Sequence, residues 1–434
     1  MIRKFEEETI LIFINLSRFS QVVEIASPEF LGHVPEDIFS RNRFPVIKDS
    51  PYVLILGPYN YHLLLMSKAQ EAEAPAAEYV CPELSVSGSW ENILRRAGLA
   101  QMERRVLPGY LRKTRWFRSK GQTISKLIIG DSLPVPADST SFFLSFIETA
   151  YNEGQTETYL LPLHYLPLTE GEEILQEYPE AVIARLKVNN EDGILYDAMY
   201  SSAFRCIIFG LIAGRKRIEG FEGRVLSGRP GHSFAAIFRE KKAPLQSRVG
   251  KVEQSNTAVH FDESFFFKLY RRVEEGVNPE VEIGRFLTEK DRFAHVAPLV
   301  GVLEYWQKGT EPVTLGIMQG LVENQGDAWG LTMDEVGEYV ERVLASKEDM
   351  KVTPRLPANI YDADHGALSP KMQELMGGFY LEMVPLLGKR TAQLHLALSA
   401  HSKYPAFTPE PFSIFNQRSR FQSMRNRSAP SSIF

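Results

Sequence analysis

VEQSNTAVHFDESFFFKLYRRVEEGVNPEVEIGRFL, residues 252–287, encodes a hairpin, a further strand and a helix in quick succession. Arg248 to Gln254 reads as one strand and Thr257 to Phe261 as another, joined at the polar turn Ser255-Asn256. Asp262-Glu263 separates these from Phe265-Phe266-Phe267-Lys268-Leu269-Tyr270, an apolar and aromatic strand with one lysine in it. Asn278-Pro279 then opens a helix, with Asn as cap and Pro in the first turn, where its missing N–H costs nothing. That helix runs through Glu282 to about Glu289.

A hairpin, a lysine-bearing strand and a glutamate-bearing helix follow one another in the order of a kinase small lobe. Phosphoryl transfer is catalysed largely by positioning and charge. It calls for a loop over the phosphates, a lysine on the α- and β-phosphates, and a carboxylate that holds the lysine in place. The residues alone leave a plainer alternative open. Lys268 also reads as a solvated strand residue, and Glu282 as the partner of Arg285 one helical turn on.

Working outward, residues 1–68 read as β structure, with strands at 10–16 and 21–25 and a strand-turn-strand unit from Tyr52 across Gly57-Pro58 to Leu65. A small β-sandwich is expected there. Residues 69–80 are rich in Ala and Glu with one Pro, a linker composition. Ser89 is placed as the cap of a helix through Leu94, and strands are expected at 142–147 and 158–163. Gly193 to Ala198 leads into a helical stretch ending near Leu211. A second long helix is expected to start at Thr332. The basic, aromatic run LPGYLRKTRWFRSKG at 107–121 has two readings. It is either a phosphate contact, or cations snorkelling around a Trp-Phe anchor in a core.

The composition is that of a globular protein. Of 434 residues 44% are hydrophobic and 24% charged, with a net charge of -5 and a pI near 6.1. That balance argues against a nucleic-acid binder. Cys81 and Cys206 build no disulfide framework, and their spacing suggests no zinc site. The start of the chain does not read as a secretory signal, and no apolar run is long enough for a membrane span. A cytoplasmic chain without nucleic-acid or membrane partners is expected.

Word-level resemblances go further. The runs at 14–25, 32–47 and 52–66 resemble the C-terminal β domain of trehalose synthases of the α-amylase type. LPGYLRKTRWFRSKG is similar to the opening of the maltokinase N-terminal cap, which implies a structural role for it. Residues 252–305, with TLGIMQGLVENQGDAW at 314–329, LGKRTAQLHLAL at 387–398 and the run at 407–426, resemble maltokinases. The implied architecture is α+β. It comprises a β domain (1–68), a linker (69–80), an α/β cap (81–190), an aminoglycoside-phosphotransferase-like ATP lobe (191–323) and a partial helical lobe (324–434).

The resemblance implies ATP and Mg²⁺ as cofactors and maltose as substrate, with maltose 1-phosphate made for α-glucan (glycogen) synthesis. It places Gln254, Ser255, Asn256 and Thr257 over the phosphates. It makes Lys268 the ATP lysine, Glu282 its helix partner, and Gln319, Gly320, Leu321 and Val322 the hinge that meets adenine. Asn324 to Trp329 reads either as a ligand contact or as a helix cap with a core Trp.

The family's His-Gly-Asp and Asp-Phe-Glu motifs have no counterpart here. His365-Gly366 is followed by Ala367, and Phe221-Glu222 is preceded by Gly220. No catalytic residue and no metal ligand is therefore assigned, and residues 427–434 read as an aberrant tail. The alternative expectation is a non-catalytic nucleotide-binding or scaffold piece, or a broken-gene product, that could associate with a trehalose synthase.

Overall fold

In the computed structural model, residues 2–5, 8–15, 21–25, 28–37, 47, 52–56, 61–68, 81–137, 140–152, 154–238, 246–250, 255–346, 370–400 and 404–428 are described. The chain mixes helices with several sheets and divides into two units, residues 1–80 with 409–434, and residues 81–408.

The first unit is β-rich. Strands β1 (Ile2–Phe5), β2 (Glu8–Ile14), β4 (His33–Asp37) and β6 (Tyr61–Lys68) form a sheet in the order β1-β2-β6-β4. Strands β3 (Gln21–Ile25) and β5 (Tyr52–Leu56) pair separately. Alternation turns Leu64 and Met66 of β6 inward, where they meet Leu11, Phe30 and Ile47. The linker expected at 69–80 lies outside the described residues.

The second unit holds two seven-stranded sheets. The first is built from β7 (Glu83–Val86), β8 (Ile124–Pro136), β9 (Ser141–Tyr151), β10 (Thr156–Pro167), β11 (Val182–Val188) and β12 (Glu191–Asp197) in the order β7-β11-β12-β10-β9-β8. Helices α1 (Arg96–Gln101), α2 (Leu107–Lys113) and α3 (Leu168–Glu177) accompany it. Ser89 makes no side-chain cap bond, because only a short 3₁₀ turn, Trp90–Leu94, follows it. Asn189 and Asn190 take positive φ (49° and 72°), the turn that joins β11 to β12 as a hairpin. The first sheet therefore extends to Asp197.

After α4 (Ser202–Ala213) come β13 (Arg217–Glu219), β14 (Val225–Pro230), α5 (Phe234–Phe238), β15 (Ser247–Val249), β16 (Asn256–Phe261), β17 (Phe265–Tyr270), β18 (Arg272–Val273), α6 (Pro279–Arg285), β19 (Leu299–Trp306) and β20 (Val313–Gly320). The second sheet runs β13-β14-β19-β20-β17-β16-β15. Helix α4 lies on it, and Gly228 permits the contact, since a Cβ there would stand 2.3 Å from the Leu211 carbonyl carbon. Phe209 of α4 packs on Phe261 and Phe265 from the sheet.

Helices α7 (Ala328–Ala345), α8 (Pro370–Met376) and α9 (Gly378–Ser399) follow, and α10 (Ile414–Ser428) ends the described chain. Helix α7 starts four residues before Thr332, because Asp327 caps it by accepting the Gly330 N–H at 2.6 Å. No described helix is long and apolar enough to cross a membrane.

Strand β18 belongs to the first sheet, pairing Thr158 with Val273 and Tyr159 with Arg272. The chain thus crosses from one sheet to the other at Arg271, which is wholly buried. Its guanidinium donates to Asp197 Oδ2 at 2.5 Å and to Thr257 Oγ1 at 2.7 Å, and lies 4.9 Å from the Trp116 ring centroid. Asp197 is equally buried and also accepts the Met199 N–H at 3.0 Å.

Asp197→Ala would strand a buried cation. The expected loss is roughly 3–5 kcal/mol, seen as a lower urea midpoint, with much of it recovered by pairing Arg271→Met with Asp197→Leu. A single variant as stable as the wild type would remove the pair's structural role.

His164 gives a second test. It is buried against Phe142, with ring centroids 4.1 Å apart, and burial pushes its pKa from the ordinary 6.5 down to about 4. The unfolded chain therefore binds a proton between pH 6.5 and 4 that the folded chain refuses. Stability contributed by neutral His164 is present above that window and falls as pH drops through it, by about 3 kcal/mol in all. His164→Phe should flatten the stability-pH slope there; an unchanged slope would assign the loss to other groups.

Candidate nucleotide site

Strand β17 separates two environments by its pleat. Phe265, Phe267 and Leu269 are fully buried in the core shared with α4, whereas Phe266 and Lys268 are half-buried on the other face. The register with β16 sets Asn256 opposite Tyr270, Ala258 opposite Lys268 and His260 opposite Phe266. The small Ala258 leaves the Lys268 side chain free to run along the sheet.

Lys268 Nζ donates to both carboxylate oxygens of Glu280, at 3.1 and 3.2 Å. Tyr270 adds its hydroxyl to Glu280 Oε2 at 2.8 Å. Glu280 stands in the first turn of α6, where a carboxylate meets unpaired N–H groups. Asn278 fixes that turn, its Oδ1 accepting the Glu280 N–H at 2.9 Å.

The expected partner, Glu282, is exposed and makes no contact with Lys268. The reason is helical phase. Two residues along an α-helix rotate the side chain by roughly 200°, so only one of the two glutamates can face the strand. Asn278-Pro279 marks where the helix begins but not which side of it meets β17.

Of the residues expected over the phosphates, Ser255 and Asn256 lie at the same end of the sheet, at the start of β16. Ser255 and Asn256 are half-buried, with Asn256 Nδ2 3.3 Å from Ser255 Oγ, and both line a cleft of about 410 Å³ with Tyr270 and Glu280. Thr257 does not join them. It is buried and its hydroxyl accepts from Arg271, because strand alternation turns it toward the core. Gln254 lies outside the described residues.

The residues expected to form the hinge lie at the other end of β17, where Gln319 faces Phe266 and Gly320 faces Phe265. Phe265 to Tyr270 spans roughly 17 Å at the usual strand rise. Two hinge N–H groups are already engaged, Gly320 with Pro298 O at 2.9 Å and Leu321 with Ser264 O at 2.8 Å. Val322 is exposed, and its carbonyl accepts from Asn324 Nδ2 at 2.9 Å.

Asp327 is the cap of α7, and Trp329 is 73% exposed instead of packing into a core. Among the described residues no group of three or more His, Cys, Asp or Glu could hold a metal ion.

Residues 2–63 match the family model of the maltogenic amylase C-terminal domain, and residues 110–200 that of the maltokinase N-terminal cap domain. A trehalose synthase from Thermus thermophilus is 27% identical over 239 residues, or 52% of this chain and 23% of that protein. Together these fit a trehalose synthase–maltokinase-like fusion. The chain thus spans under a quarter of the curated relative's length.

Among solved structures, a glucosamine kinase in complex with glucosamine, ADP and inorganic phosphate is matched at a TM-score of 0.35. The identity is 14%, over 73% of this chain and 53% of that one. Glucosamine kinase in crystal form A is matched at 0.31, with 13% identity over 60% and 47% of the two chains.

The two glutamates separate by experiment. In ATP titrations of the full chain, Glu280→Ala should weaken binding on the order of tenfold by releasing the lysine, and Glu282→Ala should leave it within about twofold. The reverse ranking would return the lysine to Glu282.

Proposed function

We propose that the chain supplies the nucleotide-binding part of an ATP-dependent sugar kinase of maltokinase type. The family reaction moves the γ-phosphate of ATP to the anomeric hydroxyl of maltose, giving maltose 1-phosphate for α-glucan synthesis. The observation that supports this best is the Lys268–Glu280 pair beside the Ser255-Asn256 turn, in a chain that also has a maltokinase-type cap.

Each residue has a task in that reading. Lys268, held by Glu280, meets the phosphates with a fixed positive charge. Ser255 and Asn256 offer hydroxyl and amide donors at the open end of the turn. Val322 offers its backbone to the base at the far end of β17. Mg²⁺ would neutralise phosphate charge when bound with the nucleotide. The described residues do not supply a metal site, so no step is assigned to it. Association with a trehalose synthase catalytic domain is part of the same proposal, for a chain whose residues 2–63 match the maltogenic amylase C-terminal domain model.

A second reading has its own support. Within these 434 residues Ala367 follows His365-Gly366, and Asp-Phe-Glu does not occur. The catalytic-loop and metal-binding carboxylates of phosphoryl transfer are then not provided by this chain. In that case it binds nucleotide or serves as a scaffold without turnover.

Incubating the full chain with ATP, Mg²⁺ and maltose separates the two. Nucleotide binding that is lost in Lys268→Ala, without maltose 1-phosphate above background, is expected. Robust product would show that carboxylates elsewhere in the chain do the chemistry. Equal ATP binding by wild type and Lys268→Ala would overturn the nucleotide site.

A further inference from the structure

The two readings of LPGYLRKTRWFRSKG divide within the motif. Trp116 and Phe117 are buried. Trp116 lies under the Arg271 guanidinium, and both rings pack on Tyr159, at 6.0 and 5.1 Å between centroids. Ser119 is tied down on the other side, donating its hydroxyl to Glu157 Oε2 at 2.8 Å. Arg118, between these anchors, is exposed and lines the 410 Å³ cleft together with Ser255, Asn256 and Glu280.

The other cations around the cleft are paired, and the carboxylates Glu274, Glu275 and Glu280 line it as well. Arg272 pairs with Glu157 at 3.0 Å and with Glu274 at 2.6 Å, and Lys268 pairs with Glu280. Arg118 has no side-chain partner among the described residues. It is a cation on an anchored stretch of backbone, lining the cleft with Ser255 and Asn256.

We propose that Arg118 of the cap binds the phosphates of a nucleotide held by Lys268 and the Ser255-Asn256 turn, so that the cap forms one wall of the nucleotide site. This rests on the nucleotide reading above. A planar guanidinium gives two parallel donors to phosphate oxygens, which the lysine cannot. The burial of Trp116 and Phe117 fixes the backbone beside Arg118, so that little backbone freedom is lost when Arg118 engages its ligand.

The test is calorimetry on the full chain with ATP and AMP as probes, comparing wild type, Arg118→Ala and Arg115→Ala. Arg115 is an equally exposed cation of the same segment that does not line the cleft. Arg118→Ala should weaken ATP on the order of tenfold or more, the worth of one charge-assisted contact, and shift AMP far less. Arg115→Ala should change neither.

An unchanged ATP affinity in Arg118→Ala overturns the proposal while leaving the Lys268 site standing. Equal losses in both arginine variants also overturn it, by showing a diffuse field in place of a contact. A wild type that binds neither nucleotide overturns the nucleotide reading itself, and this inference with it. Thermal melting of each variant checks that the exposed substitutions leave the fold intact.

Discussion

The Arg271–Asp197 pair holds together everything that gives the chain a site. Desolvating two charges costs several kcal/mol per ion, and the cost is met only where geometry and further hydrogen bonds complete the pair. Here they do. Asp197 takes a backbone N–H besides the guanidinium, and Arg271 also reaches Thr257 and the Trp116 ring. The Leu160 N–H donates to the Arg271 carbonyl at 2.7 Å, so the backbone joins the two sheets at the same point. The pair fixes strand β12 of one sheet, strand β16 of the other and the cap motif with a single side chain.

From that joint the site follows by strand geometry. Arg271 is the residue after Tyr270, so anchoring it fixes where the Tyr270 hydroxyl and the Lys268 ammonium emerge. The same guanidinium holds Thr257, next to Asn256 at the phosphate turn. Helix α6 then brings Glu280 to the lysine, set by the Asn278 cap. The ion pair is half-exposed on the Glu280 side, with the Glu280 side chain 49% accessible. In water it contributes little to stability. What it contributes is position, which the proposed contact with phosphate would require.

The elements that could be read from the sequence are those with local signals. Strand β17 matches its expected bounds, and β16 and α6 start within one residue of theirs, since aromatic runs and an Asn-Pro cap are short-range devices. The cap of α7 at Asp327 was equally open to reading, but the exposure of Trp329 was not. Decisions made by tertiary contact stayed hidden. Glu280 and Glu282 are equivalent until helical phase is known. Thr257 looks like a turn residue until Arg271, fourteen positions on, claims its hydroxyl. The Arg271–Asp197 pair spans 74 positions, and neither residue has a neighbouring motif to mark it. Gly193 to Ala198 does lead into a helix, α4, but is itself largely strand β12. The Asn189-Asn190 turn that makes it a hairpin arm was the local cue available.

The joint also changes what the cap is for. Were the two sheets linked by a flexible connection, a cationic residue on one would gain little by facing a cleft on the other, because ordering it would cost most of the contact. A fully buried guanidinium that spans both sheets removes that cost in advance. In the proposed nucleotide reading, cap and lobe form the site together, and a mutation at Trp116 or Asp197 should act at a distance on the affinity for phosphate. Resemblance to a structural motif, correct for Trp116 and Phe117, does not extend to every residue in it. Burial assigns the structural role to Trp116 and Phe117, whereas Arg118 beside them is exposed.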